Sequence, residues 1–243
     1  MPNTTFADVI CNHAMVEISD IRLQNELAES PARFLRKMSF YVINAVPRFN
    51  RPPEAREWLK FTAPSYDDME YIVPTDYDGS EPLVIQTEAV GYGMASVIKI
   101  QDDGFGALET IRVDGAEYDP NSGTITIAEG YAASGDHLSI DFYTDGVFDR
   151  ELGYDMKEIL GMLVQYVWEF RFANDFLIQQ PKIKDRNFDV GNEANYMRAS
   201  TERMRMLQER NNQRLKAFEQ NMEYRNRVLD SNQGTTVYSP ENA

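Results

Sequence analysis

Apolar residues that recur every three or four positions predict helices in the first third of the chain. Ser30 and Pro31 mark a helix start, because serine caps the first turn and proline fits the first helical position. Pro47 ends this helix, because proline has no amide hydrogen to donate. Between these limits the apolar side chains share one face: Phe34, Leu35, Met38, Tyr41, Val42, Ala45 and Val46. Shorter helices are expected at about 20–29 and 54–58.

Two longer helices are predicted in the last third. From Asp155 to about Ile178 apolar residues occur on nearly every side, which is typical of a helix buried all round, so this segment is the predicted central core helix. The pattern from Asn192 to Asp230 instead places its apolar residues in an arc of roughly 80° and predicts a helix about 55–60 Å long. We expect part of it to protrude or to pack against another chain. Its apolar stripe is Met197, Met204, Leu207, Leu215, Phe218, Met222 and Leu229.

The middle third is punctuated by Gly, Asp, Asn and Pro, and its β-branched residues alternate with polar ones. This pattern predicts short antiparallel strands joined by tight turns. The fold class is therefore α+β, a helical bundle with a long C-terminal helix and an inserted antiparallel β sandwich or barrel of about 90 residues. The clearest strands are 94–100, 107–113, 124–128 and 137–143, with further candidates at 69–74 and 83–90.

Charge changes at the same places as periodicity. The chain has a net charge of −15, and residues 62–153 hold 3 basic and 19 acidic residues, a net −16, whereas the segments on either side are balanced. We therefore predict four segments. They are N-terminal helices of the bundle at 1–61, an acidic β domain at 62–153, the core and long helices at 154–230, and an extended tail at 231–243.

Residues able to support catalysis are few. His13 is expected on a helix and His137 at a strand start, and Cys11 falls in an apolar helical pattern that predicts a small core residue. No phosphate-binding, dinucleotide-binding or zinc-protease motif is present. The stretch DYDGSE at 76–81 resembles the beginning of a calcium loop, but the residues after it supply no oxygen ligands, so a solvated turn is predicted. We expect no enzymatic activity, no cofactor and no metal.

Cellular location can also be predicted. A single cysteine cannot form an intramolecular disulfide, so synthesis in a reducing cytoplasm is expected. The chain has no signal-peptide pattern and no apolar run of about 18 residues, so neither export nor membrane spanning is expected.

The long C-terminal helix is rich in arginine, which raises the question of nucleic-acid binding. Glutamates are interspersed among these arginines, so the helix has a mixed surface with no basic stripe. Surface ion pairs and pairs between protomers are favoured over sequence-specific DNA recognition.

Four features together resemble the head-to-tail connector adaptors of tailed bacteriophages. They are the run SPARFLRKMSFYVINAVPRFNRPP, the core helix with MLVQYVWEF, the arginine-rich helix, and the tail GTTVYSPENA. The resemblance covers 1–61 and 154–243. It implies a structural virion protein of the neck, repeated as a ring of twelve subunits under the portal, with a downstream neck or tail protein as a second partner and DNA passing through without specific contact. The chain departs from the family by its acidic β domain, which we expect on the exterior of the ring.

The resemblance also suggests partner-binding residues. Arg203, Arg210 and Arg214 would pair with carboxylates of the portal or of a neighbouring protomer. The tail is too poor in apolar residues to fold alone, and its β-prone segment is suited to adding as a strand to an exposed sheet edge of the portal. That segment is Thr235, Thr236, Val237 and Tyr238.

Two other classes of function stay open. The chain could be another tail, baseplate or capsid-associated structural protein whose β domain binds a glycan or another virion protein through Tyr92, Phe105 and Tyr118. It could also be an enzyme that uses a carboxylate pair in the β domain.

Overall fold

The computed structural model describes residues 2–102, 108–179 and 190–233, and describes side chains within 2–101, 108–171 and 198–226. The fold is α+β, as predicted. Its helices are α1 (Phe6–Val9), a π-helical segment (Ile10–Ala14), α2 (Met15–Glu17), α3 (Ile21–Glu29), α4 (Pro31–Ala45), a 3-10 turn (Val46–Arg48), α5 (Ala55–Trp58), α6 (Tyr154–Gln179) and α7 (Val190–Gln233).

Helix α4 begins and ends where the sequence predicts. The Ser30 side chain accepts a hydrogen bond from the Arg33 amide, Pro31 occupies the first turn, and Pro47 lies in the 3-10 turn that follows Ala45. The apolar face is buried, with Phe34, Met38 and Val42 fully inaccessible to solvent. The capping residue and the prolines are local signals, which explains why the sequence alone places these ends correctly.

The π-helical segment between α1 and α2 was not predicted, because one wider turn leaves almost no trace in a periodicity of 3.6. It packs directly on α6 at Gly161, where an added β carbon would lie 2.7 Å from Cβ of His13. Ile10 and Ala14 face the core, whereas Cys11 is exposed. The prediction of a buried Cys11 is therefore wrong, since the side chain after Ile10 lies one helical step further round, toward solvent.

The β segment is a sandwich of two antiparallel sheets. A four-stranded sheet has the order β2-β8-β4-β5, and a three-stranded sheet has the order β3-β7-β6. A separate pair, β1 with β9, joins the sandwich to the helices. The bounds are β1 (Phe61–Thr62), β2 (Ser65–Ile72), β3 (Leu83–Gln86), β4 (Met94–Asp102), β5 (Leu108–Arg112), β6 (Ala116–Asp119), β7 (Thr124–Ile127), β8 (His137–Thr144) and β9 (Val147–Phe148).

All six predicted strands correspond to strands of the structure, and three further strands were missed. β1 and β9 have two residues each, and β6 carries two acidic residues in four, so none of them has enough alternating apolar residues to be recognised. These short strands form because a longer or more apolar partner is already in place, as β7 is for β6.

The four-stranded sheet is the middle layer of the molecule. One of its faces packs on the three-stranded sheet around a core that includes Ile125, Ile127, Leu138, Ile140 and Phe142. Its other face lies under α4, which contacts β8 and β4. Strand β8 is therefore covered on both faces, and six of its eight residues are buried.

Helix α6 is the centre of the helical core, as predicted. It contacts α1, the π-helical segment, α2, α4 and α7, and its residues Leu160, Leu163 and Val164 are buried among them. The same core includes Tyr143, Phe148 and Leu152, which belong to the segment predicted as the β domain. Packing thus crosses the predicted boundary at 153, and independent folding of 62–153 stays a prediction.

Helix α7 has 44 residues, a length of about 66 Å at 1.5 Å per residue. Its predicted apolar stripe is confirmed where side chains are described, because Leu207, Leu215 and Phe218 are buried. Met197 and Leu229 lie outside the described side chains. The stripe also contains Asn211, which is only 4% exposed. A buried amide in an apolar stripe needs polar partners, and the Asn211 side chain has one on α6, the Met162 carbonyl.

Candidate functional site

Polar side chains connect α7 to α6 and α2 along one line of contact, here called the α7 seam (Glu17, Gln165, Glu169, Arg203 and Arg210). Arg203 donates through Nε to Oε2 of Glu169 at 2.7 Å and through Nη2 to Oε1 at 2.9 Å. The Glu169 carboxylate is almost fully buried, and this bidentate contact with Arg203 compensates its negative charge.

Arg210 continues the α7 seam seven residues, or about two helical turns, after Arg203. Its Nη1 lies 3.2 Å from Oε2 of Glu17, and its Nη2 donates to Oε1 of Gln165 at 2.7 Å. Gln165 in turn donates to the Glu17 carbonyl at 2.9 Å and to Oε1 of Glu169 at 3.1 Å. The α7 seam therefore joins three helices in one register, because a shift of α7 by one turn would break these contacts.

Arg214 makes a weaker contact, since its Nη2 lies 3.3 Å from Oε1 of Glu158 and both side chains are partly exposed. Asn211 donates to the Met162 carbonyl at 3.5 Å, and its Oδ1 is buried without a hydrogen-bond partner among the described residues. The polar character of the interface thus declines toward the C-terminal half of α7, where Leu215 and Phe218 join the apolar core.

All three arginines predicted to bind a partner pair with carboxylates of their own chain. Their binding to a portal or a neighbouring protomer stays a prediction, and it would require the partner to compete with Glu17, Glu158 and Glu169. The predicted tail residues Thr235, Thr236, Val237 and Tyr238 lie outside the described residues. The partners on α6 could have been found from the sequence, because Glu158, Gln165 and Glu169 recur at helical spacing, and Gln165 and Glu169 interrupt the most apolar part of the helix.

A second group of side chains lies where the C-terminal half of α6 meets α4. It is called here the aromatic–arginine face (Phe40, Arg48, Tyr166, Phe170 and Arg171). The rings of Tyr166 and Phe170 stack with centroids 6.3 Å apart. The guanidinium of Arg48 lies 5.2 Å from the Tyr166 ring, and that of Arg171 lies 5.2 Å from the Phe40 ring. Phe40 is 50% exposed and Phe170 is 44% exposed, so large aromatic surface faces solvent.

The N-terminal end of α6 has a third surface feature, the basal groove (Trp58, Tyr154, Phe218, Met222 and Arg225). It has a volume of about 320 Å³ and is flanked by Tyr154, whose side chain is 71% exposed. Arg225 of α7 lines the groove together with Tyr154, the first residue of α6. Helix α7 continues for eight residues beyond Arg225 and ends at Gln233. Aromatic, methionine and arginine side chains are the types enriched at protein–protein interfaces.

A buried polar cluster fixes α4 to the sheet. Asp141 on β8 is 3% exposed, and its Oδ2 lies 3.0 Å from Nη2 of Arg33. Deeper in the interface, the Ser39 and Tyr143 hydroxyls lie 2.7 Å apart, and Tyr143 donates to Asp145 at 2.9 Å. Burial raises the pKa of Tyr143 well above its ordinary value, so its hydroxyl stays protonated and able to donate. Asp141, Ser39 and Tyr143 are buried, whereas the Arg33 side chain is partly exposed at the edge of the cluster, and together they hold the layers in place.

The histidines and the cysteine lie on separate elements. His13 packs edge-on against Tyr154, and partial burial lowers its pKa. His137 Nε2 lies 3.3 Å from Glu70 on the exposed end of the sheet. Cys11 is exposed on the π-helical segment. Within the described part of the chain, no group of three His, Cys, Asp or Glu side chains is placed to hold a metal ion.

The remaining predicted sites can be placed as well. The turn at 76–81 is solvated as predicted, because Asp78 accepts hydrogen bonds from the Ser80 amide and hydroxyl, and both residues are exposed. Tyr92 packs against Phe142 at a tilt and Tyr118 packs edge-on against the same ring, so both tyrosines are partly buried at the margin of the sandwich core, and their binding to a glycan or a virion protein stays a prediction. Phe105 lies outside the described residues.

Among the described residues, no helix is both long enough and apolar enough to cross a membrane. The chain matches no family model, no curated protein and no solved structure.

Proposed function

We propose that this chain is a structural virion protein, a subunit of an adaptor ring that joins the portal to the neck or tail of a tailed bacteriophage and surrounds the passing DNA. The observation that carries the proposal is the basal groove, with Tyr154 exposed beside it and α7 continuing past it. The mostly apolar groove is rimmed by charged residues of both signs, Arg150, Glu151, Asp155 and Arg225, and an apolar patch with a polar rim is typical of a surface that another protein covers.

The state of the α7 arginines supports a role beside DNA without tight binding to it. Arg203, Arg210 and Arg214 have their charge compensated by glutamates within the chain. Affinity for DNA depends on cations that can neutralise phosphates, so paired arginines contribute little to it. The net charge of −16 over 62–153 further disfavours adhesion to nucleic acid.

The end of α7 is the part of the chain best placed to reach a partner. The helix continues about 12 Å beyond Arg225, a distance that follows from eight residues at 1.5 Å each. The tail at 234–243 follows α7 in the sequence, and addition of Thr235 to Tyr238 as a strand to the portal is part of the same proposal. We assign this end to the portal-facing side of the ring.

Mass photometry of the purified chain, alone and mixed with the portal protein of the same phage, tests the proposal. The expected results are a ring-sized oligomer and a complex with the portal. Tyr154→Asp should abolish portal binding, because it places a charge at the rim of the basal groove. Ile72→Asp is the matched control, since Ile72 is 67% exposed, close to the 71% of Tyr154, but lies on β2. A wild-type chain that forms neither oligomer nor portal complex would exclude this function.

A further inference from the structure

We infer that the aromatic–arginine face binds the acidic β sandwich of a second copy of this chain, through the outer surface of its three-stranded sheet. The inference rests on the proposed ring function and specifies which two surfaces of neighbouring subunits meet. The contact is heterologous, meaning that different surfaces of the two copies touch each other.

The aromatic–arginine face has the chemistry of an interface centre. Tyrosine, phenylalanine and arginine are enriched in such centres, and Phe40, Phe170 and the neighbouring Ile43 are each at least 36% exposed. Arg48 has no carboxylate partner among the described side chains and is held by the Tyr166 ring. A cation–π contact with a ring does not use the in-plane N–H donors of a guanidinium, so Arg48 can still donate to an incoming carboxylate.

Charge identifies the second copy as the occupant. Residues 62–153 carry a net −16, so two β sandwiches repel each other and a contact that joins them directly is disfavoured. The helical segments are close to neutral, and Arg48 of the aromatic–arginine face provides a positive site on them. A neighbour placed with its β sandwich against this face keeps like charges apart and brings opposite charges together.

One surface of the β sandwich is free to make this contact. The four-stranded sheet lies between the helices and the three-stranded sheet, so the outer side of the three-stranded sheet points away from the chain's own helices. Across it, Val84 pairs in register with Thr126, and Thr126 pairs with Glu117. Val84 is 60% exposed, and the exposed Glu117 has no ion pair among the described residues. This row presents an apolar side chain and a carboxylate to an aromatic and cationic partner.

A heterologous contact of this kind repeats from one subunit to the next. It closes into a ring when the rotation between neighbours divides a full turn, and otherwise it continues as a filament. The aromatic–arginine face lies on the C-terminal half of α6 and the basal groove lies at its N-terminal end, so the proposed contact uses none of the residues that line the groove.

A charge swap in the full-length chain tests the inference, with oligomer size measured by mass photometry over a dilution series. Arg48→Glu and Glu117→Arg should each raise the concentration needed for half-assembly by on the order of tenfold, because each places like charges in contact. The double variant should restore assembly toward wild type, because it reverses both charges. Phe170→Asp should also prevent assembly, whereas Val16→Asp, at a residue 73% exposed on α2, should not.

Each outcome has a defined meaning. Rings that form equally well from Arg48→Glu and Glu117→Arg would overturn this contact, as would single variants that weaken assembly without rescue in the double variant. Binding to the portal is measured separately with the same proteins. Wild-type rings that bind the portal while the charge variants also assemble normally would overturn only the subunit contact. Absence of both rings and portal binding in the wild type would overturn the proposed function.

Discussion

The two sides of helix α4 are held by different kinds of interaction. Toward α6 the helix buries Phe34, Met38 and Val42 in an apolar core. Toward the four-stranded sheet it is fixed by Arg33 on Asp141 and by Ser39 on Tyr143. Apolar burial is non-directional and stabilises many relative positions of two layers, whereas buried ion pairs and hydrogen bonds are lost after a small displacement. The comparison indicates that the α6 side supplies most of the stability and the sheet side defines the orientation.

The apolar side should give the largest loss. Phe34→Ala removes a fully buried ring, and we expect the free energy of unfolding to fall by about 3–5 kcal/mol through lost burial and the cavity left behind. Chemical denaturation followed by circular dichroism measures this. Ile43→Ala on the same helix is the control and should change stability by less than about 1 kcal/mol, because Ile43 is 36% exposed. Equal losses in the two variants would contradict the assignment of the core to the α6 side.

The polar side should give a smaller loss with a different signature. Asp141→Asn keeps the shape of the side chain but removes the charge opposite Arg33. We expect the free energy of unfolding to fall by about 2 kcal/mol, less than for a fully buried ion pair, because Arg33 is partly exposed to water. The rate of amide hydrogen exchange should increase more in α4 and β8 than in α6. Asp67→Asn, at an exposed position on β2, should leave both stability and exchange unchanged. An equal increase in exchange rate in all helices would show that the cluster does not orient α4 on the sheet.

The smallest effects are expected on α7, where polar and apolar contacts occur on one helix. Arg203→Met removes the partner of the buried Glu169 and should cost about 1–2 kcal/mol, with faster hydrogen exchange around 198–211. Arg214→Met should cost less than about 0.5 kcal/mol, because both members of its pair are partly exposed. If both variants behave alike, the α7 seam does not hold the first half of the helix.

The arginines show the limit of reading a helix by composition. The interspersed glutamates indicated ion pairs, and Arg205 does pair with Glu202 on α7. Arg203, Arg210 and Arg214 instead pair with Glu169, Glu17 and Glu158, which come from elsewhere in the chain. An ion pair between two helices depends on which helices pack against each other. The spacing of arginines along one helix does not show this, because the same spacing is compatible with several neighbouring helices. The aromatic–arginine face was missed for the same reason, since Phe40 and Phe170 are far apart in sequence.

Local chemistry determined much of this fold. The serine cap and the prolines placed α4, the continuous apolar pattern marked α6 as the core helix, and alternation identified six strands, because each of these signals acts within a few residues. The described strands lie between Phe61 and Phe148, close to the limits of the acidic segment 62–153, whereas its standing as a separate domain stays a prediction. Only the tertiary structure decided the π-helical segment against Gly161, the pairing of β1 with β9, and the assignment of Tyr143 and Phe148 to the helical core. These features arise from contacts between residues distant in sequence, whose formation depends on the packing of every layer at once.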